Sequence, residues 1–345
     1  MKFGIQNLLS IRDWQTHGEV YGHALAECRL ADELGFDTVW LAEHHFSHYG
    51  ICPSLAVLAA AVARETRRAR IGTAVVIAPF AHPIRIAEEW AMVDILSGGR
   101  LEFGLGRGYQ PKEFAGLGVS MERTRERFDE SLELIRLAWT RDRVTFEGEF
   151  FTVRDVAVLP KPLQKPHPPL WTAAVSPATY TLAARRGLRL LTSPAFTPFD
   201  ILRKNYDAYR AEWRAAHGAE GGEIILNKII HVADSSRQAR EDLREPIQWF
   251  FRTQADLIAD PAGAPPDQYR FYRRVRENLL TLSDEVALDQ AAIVGDPDEV
   301  ADKIRAHADA LGVTYFMGAF SRGGLPHEKV AHSMRLFAEK VMPRL

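Results

Sequence analysis

An α/β chain closed into a (β/α)8 (TIM) barrel, with insertions in its βα loops, is the fold this sequence predicts. Three observations predict it. Short β-rich runs alternate with longer amphipathic runs, the alternation recurs eight times over 345 residues, and a single hairpin is the one interruption. The composition, 46% hydrophobic and 26% charged, supplies ample apolar material for a large core. Chains of this length often split in two, but barrels reach this size as one unit, so residues 1–345 are expected to form one domain.

Residues 2–7 (KFGIQN) open as strand one. Residues 18–35 then set Tyr21, Leu25, Cys28, Ala31 and Leu34 on one helical face, with Gly35 as the stop. Residues 37–42 (DTVWLA) read as strand two and 54–65 as its helix. Strand three spans 69–78 (ARIGTAVVIA), and Pro83 opens a helix running to about Leu96. Strand four is 100–106 (RLEFGLG), followed by a helix over 121–140. VTFEGEFFTV reads as a hairpin turning at Glu147-Gly148, and PKPLQKPHPP as a stiff connector, which makes 141–168 an insertion. Strands five and six occupy 169–175 and 188–192, with helices over 176–187 and 198–216. Strand seven covers 223–233 with helical sequence from Ser235, and strand eight covers 312–320, closed by a helix over 326–341. About 260–284, containing APPDQYRFYRRVRE, reads as a flexible, lid-like excursion.

The net charge of −2, with acids and bases interspersed, gives no footprint for nucleic acid. No apolar run approaches the ~18 residues of a membrane span, and the start lacks a charged leader with an apolar stretch behind it. Cys28 and Cys52 form no CxxC pair, so a reducing cytoplasm is expected and both thiols should pack as small hydrophobes.

Barrel chemistry sits where strands end and βα loops begin. One rim therefore collects Glu43, His44 and His45 after strand two, Arg107 and Tyr109 after strand four, Ser176 and Thr179 after strand five, and Ser321 and Arg322 after strand eight. The stretch WLAEHHFSHYG places three imidazoles beside a carboxylate. Adjacent histidines on extended backbone point to opposite faces, and neither HExxH nor H-x-H is present, so no metal site is expected. A histidine at a strand's end suits proton transfer near neutral pH, and equally suits a plain hydrogen bond to a neighbour. GLGRGYQ (104–110) lacks the third glycine of a dinucleotide fingerprint and falls at the fourth βα turn instead of the first. Its physical content is different: Gly106 and Gly108 remove side chains from the mouth, and Arg107 offers a donor fork to an anion. In VSPATYT, Ser176 and Thr179 flank a helix start with Pro177 at its first position, which reads either as an ordinary cap or as a phosphate site. Arg107 on the same rim strengthens the phosphate reading.

These motifs together resemble the bacterial luciferase-like flavin monooxygenases, most closely the luciferase subunits. The resemblance rests on MKFG, ELGFDTVWLAEHHF, IGTAVVIAPFAHPIR, GRLEFGLGRG, WTAAVSPATYTLAARRG, VGDPDEVADKI and MRLFAEKVMPRL, in the same order over nearly the whole chain. It implies reduced FMN at the C-terminal rim, supplied by a separate flavin reductase, and reaction with O2 through a peroxyflavin to oxygenate a small aldehyde-like or natural-product substrate. It also implies a homodimer. His44 matches the catalytic histidine, and Arg107, Ser176 and Thr179 match flavin-phosphate ligands. The Ala74-Val75 bond matches a non-proline cis peptide behind the flavin, in the family's GTAA segment. Glu43 and His45 become supporting residues, while Phe46, Trp40 and Tyr109 become candidate pocket walls. Two departures stand out: Gly106 replaces a reactive cysteine, which is expected to open space beside the flavin, and Val175 replaces a glutamate. The same fold also serves deazaflavin-dependent oxidoreductases that move hydride. A non-catalytic flavin-binding subunit is a further alternative, against which the presence of His44 and Arg107 counts, and a metal-dependent hydrolase is the weakest.

Overall fold

Residues 1–218, 222–258 and 271–345 are described by a computed structural model. The chain runs β1 (Lys2–Asn7), α1 (His17–Leu34), β2 (Thr38–Leu41), α2 (Leu55–Glu65), β3 (Arg70–Thr73), β4 (Val76–Ile77), α3 (Pro83–Leu96), β5 (Leu101–Gly106), α4 (Pro111–Gly116) and α5 (Thr124–Thr140). An antiparallel hairpin of β6 (Val144–Glu147) and β7 (Thr152–Val156) follows, then β8 (Leu170–Ala173), α6 (Pro177–Arg185), β9 (Arg189–Thr192), α7 (Phe199–His217) and β10 (Ile224–Val232). The remainder is α8 (Ser236–Leu257), α9 (Phe271–Leu280), α10 (Asp284–Val286), β11 (Ala292–Gly295), α11 (Pro297–Leu311), β12 (Tyr315–Ala319) and α12 (His327–Leu336). Parallel pairing runs β1-β2-β3-β5-β8-β9-β10-β12 and returns to β1, closing the barrel.

Local sequence explains the element ends. Thr16 and Glu19 form a reciprocal capping box at the start of α1, and Gly35 ends it at φ 87°, a left-handed value that a side chain would oppose. Strand three is two strands: a cis Ala74-Val75 bond separates β3 from β4, and β4 pairs separately with β5. Two elements were not expected. The short helix α4 follows β5, and β11 extends the sheet along the second half of β10 (Ile229↔Ala292). Of the excursion expected over about 260–284, Phe271–Leu280 forms α9, and 259–270 fall outside the described residues.

The closed end of the barrel directs chemistry to the other end. Trp40, Trp171, Leu191, Ile225, Tyr315 and Met317 fill the interior. Trp40 lies flat on Gly72, where a Cβ would stand 2.2 Å from its ring. Trp40 is therefore core and not a wall of the rim pocket, and Gly72 is the residue that makes room for it. Below it, Trp171 Nε1 donates to Glu102 at 2.6 Å, and Trp40 Nε1 donates to Thr38 Oγ1 at 2.7 Å. Burying aliphatic residues such as Leu191 and Ile225 stabilises by about 1.5–3 kcal/mol each. With the lower interior packed and hydrogen-bonded, ligand space is left at the C-terminal mouth.

Cys28 and Cys52 are both buried free thiols, and burial pushes each up to about 12, which keeps them unreactive. Among the described residues, no helix is long and apolar enough to cross a membrane.

Candidate active site

The chain leaving β2 sends its two histidines opposite ways. His44 is 9% exposed, and its Nδ1 lies 3.0 Å from Glu113 Oε1. The same carboxylate oxygen accepts the His45 backbone N–H at 2.9 Å. Gln110 Nε2 also stands 3.1 Å from His44 Nδ1, while Gln110 Oε1 is buried without a partner. One ring nitrogen cannot serve an anionic acceptor and an N–H donor together. Glu113 Oε1 already acts as an acceptor for the His45 N–H, so Nδ1 carries the proton toward it; a half-turn of the Gln110 amide then directs its oxygen toward that N–H. The tautomer leaves His44 Nε2 as the basic nitrogen. Tyr49 meets the His44 ring edge-on at 4.8 Å, completing its enclosure.

His45 belongs to a separate pair. Its Nε2 lies 3.1 Å from Glu43 Oε1, and Glu43 Oε2 accepts the Ile77 N–H at 3.1 Å, which ties the loop to β4. Hydrogen bonding to Glu43 holds the His45 imidazole above its ordinary range, and burial pushes the Glu43 carboxyl up. His48 is an exposed loop residue, 3.7 Å from Asp13. Among the described residues, no cluster of three or more histidine, cysteine or acidic side chains is arranged to hold a metal ion.

A second feature lies across β5 and β8. Arg107, Arg125, Thr172, Ala173, Thr179 and Arg186 border a cleft partly open to solvent. Ser176 is the N-cap of α6, and its hydroxyl lies 2.8 Å from that of Thr179. Arg186 is paired with Asp129, and Arg107 and Arg125 with the two hydroxyls and the helix start make a fit for a phosphate dianion. Val175, where the luciferase pattern has a glutamate, is 49% exposed beside the Ser176 cap. Arg125 was not anticipated, because one arginine in an Arg-rich first turn of α5 carries no local mark.

Between the two features runs backbone with few side chains. The cis Ala74-Val75 bond faces Gly106, where a Cβ would meet Val75 Cγ2 at 2.4 Å. The expectation that Gly106 opens space is thereby corrected: Val75 occupies it. Phe46, at φ 57° and 49% exposed, lies over Gly116, where a Cβ would come within 2.4 Å of its ring. Tyr109 packs against the aromatic cluster of the rim, and its hydroxyl, 3.3 Å from the Gln110 amide, donates to the oxygen that the half-turn brings there. Glu113, fully buried on α4, is the residue that sequence reasoning missed; its partner is 69 positions away and its own segment is only six residues long.

The arrangement is that of a closed parallel barrel with an arginine-lined cleft and a buried, carboxylate-anchored imidazole among its βα loops. The luciferase-like monooxygenase family matches residues 1–315, and the chain belongs to that family. The chain is 28% identical to the oxygenase component of a flavin-dependent trigonelline monooxygenase from Acinetobacter baylyi, covering 96% of this chain and 92% of that one. It is 30% identical to an alkanal monooxygenase alpha chain from Photorhabdus luminescens, covering 100% and 97%. Among solved structures, monooxygenase RslO1 from Streptomyces bottropensis superposes with a TM-score of 0.86 at 32% identity, covering 99% of each chain.

Proposed function

We propose that this chain is the oxygenase component of a two-component monooxygenase, which takes reduced FMN from a separate flavin reductase and uses O2 to oxygenate a small organic substrate. The observation that carries the reading is the arginine-lined cleft beside the Ser176 and Thr179 hydroxyls, together with the buried His44–Glu113 pair. In this reading Arg107 and Arg125, with Ser176 and Thr179, hold the flavin phosphate, and the 74–75 backbone with Gly106 backs the ring. Bound FMN supplies the activation of oxygen. The chain's part is to bind, orient and shield.

His44 is the catalytic residue of the proposal. Its protonated Nδ1 is anchored on Glu113, so Nε2 accepts or returns a proton at the reacting oxygen. Glu113 positions His44, Glu43 and His45 brace the loop against β4, and Phe46 and Tyr109 exclude water from the mouth. A second copy of the chain completes the proposed assembly, supported by the apolar outer face of α2.

Stopped-flow mixing of the reduced FMN complex with O2 tests the reading. The expected result is flavin reoxidation markedly slower than that of free FMN, with His44→Ala retaining FMN binding but losing substrate oxidation. Reoxidation at the free-flavin rate rejects the oxygenase reading. Selective binding of a reduced deazaflavin, with hydride transfer and indifference to O2, would favour the alternative cofactor.

A further inference from the structure

Across the mouth, three polar residues form a cluster that the flavin reading does not use. Gln6 pairs in register with Trp40 and Asn227 with Met317, both interior residues, so both amides point into the barrel. Arg322 reaches them from the loop after β12 and is only 4% exposed. Its Nη2 donates to Gln6 Oε1, its Nη1 donates to the Ser321 carbonyl at 3.1 Å, and Asn227 Nδ2 donates to the same Gln6 oxygen at 2.7 Å.

Two of the groups are left unmatched. Arg322 pairs with no carboxylate among the described residues; Glu27, which it feels at longer range, lies 3.2 Å from His327 instead. A buried guanidinium without an anion is costly, and burial here pushes it down to about 10. Asn227 Oδ1 is buried and accepts no hydrogen bond among the described residues. The Gln6 oxygen serves two donors, and among the described residues its NH2 group donates to none, which leaves it as a donor beside the guanidinium. The surrounding surface is aromatic and leads to His44: Arg322 lies 5.3 Å from the Phe250 ring, Phe250 stacks on Tyr49 at 5.2 Å, and Tyr49 meets His44.

We infer that Arg322, Gln6 and Asn227 form a substrate-recognition site for an aromatic ligand carrying an oxyanion next to a hydrogen-bond donor. The oxyanion takes the guanidinium and the Gln6 NH2, and the adjacent donor satisfies Asn227 Oδ1. The aromatic body then lies along Phe250 and Tyr49 toward His44. This inference rests on the oxygenase reading of the same mouth.

Salicylate and its neutral analogue salicylamide are suitable probes, titrated calorimetrically into the protein with and without oxidised FMN. Wild type is expected to prefer salicylate by roughly ten- to a hundredfold, as a charge-assisted hydrogen bond provides. Arg322→Gln should abolish that preference, and Asn227→Ala should remove the advantage of salicylate over benzoate while keeping the preference for the anion. Equal affinity for the two probes, binding of neither, or a preference unchanged in Arg322→Gln overturns the site. If Arg322→Gln does not fold by circular dichroism, Gln6→Leu serves in its place and must weaken salicylate more than salicylamide. No reductant or turnover enters this measurement, so its failure removes the recognition site and leaves the oxygen-reactivity test to judge the oxygenase reading.

Discussion

One oxygen of Glu113 accepts from both His44 Nδ1, at 3.0 Å, and the backbone N–H of His45, at 2.9 Å. The carboxylate thus fixes the ring and the main chain that carries it. Glu113→Gln can present an N–H to Nδ1 and favour the opposite tautomer. The expected outcome is a fall in kcat of about 10²-fold, with KM and FMN affinity nearly unchanged and the pH profile displaced. An unaltered kcat and pH profile would remove Glu113 from the mechanism.

The cleft between Arg107 and Arg125 makes a prediction that separates phosphate from ring binding. Replacing either arginine with alanine should weaken FMN by about 1.5–3 kcal/mol, the worth of a hydrogen bond to a charged group. Riboflavin, which lacks the phosphate, should bind wild type and both variants alike. Equal affinity of wild type for FMN and riboflavin would contradict the assignment.

Lys228 is buried on β10 and, among the described residues, donates only to the carbonyls of Gln290, at 2.9 Å, and Pro194, at 3.2 Å. Burial pushes its ammonium down to about 8, below an unfolded value of about 10.4. Between these values the unfolded chain binds more protons, so stability from this group rises with pH across that window; below about 8 the cost of the buried charge is constant. Relative to Lys228→Met, wild type should therefore gain on the order of 3 kcal/mol between neutral pH and pH ~10.5. Urea melts of both proteins across that range supply the check, and parallel curves would show that Lys228 does not titrate there.

Helix α2 is apolar on its outer side as well as its inner one. Val57 is 72% exposed, and on the adjoining α3 Met92 is 51% and Leu96 47% exposed. Residues 55–63 of α2 carry no polar side chain, and an apolar surface of this kind is covered by a partner, which here a second copy would provide. Val57→Glu with Met92→Glu should convert a dimer to a monomer in light scattering without altering the far-UV spectrum. A dimer that survives both substitutions must use another face.

Much of the fold was legible because barrel strands and helices advertise their periods. KFGIQN became β1 over the expected residues, and Gly35 ended α1 as its position implied. The interruption of strand three was hidden from periodicity, since ARIGTAVVIA is continuously β-prone; resemblance alone pointed to Ala74-Val75. β11 and α4 are four and six residues long, too short for periodicity to register. At the site, His44 and Arg107 could be read from their places at strand ends. Glu113 and Arg125 could not, because their significance lies in groups distant in sequence.

The contact between Gly106 and Val75 imposes an order on divergence. The luciferases, to which this chain bears a resemblance, combine a GTAA segment with a cysteine at the position of Gly106, so this chain holds the bulk on the opposite side of the same gap. A side chain at 106 before position 75 shrinks meets Val75 at 2.4 Å, so Gly106→Cys alone should cost about 1–3 kcal/mol. Val75→Ala first leaves only a void, and the cysteine then fills it, so the two substitutions should be strongly non-additive in a double-mutant cycle. Lineages can cross between the two pairings more easily through the small-small intermediate than through the large-large one.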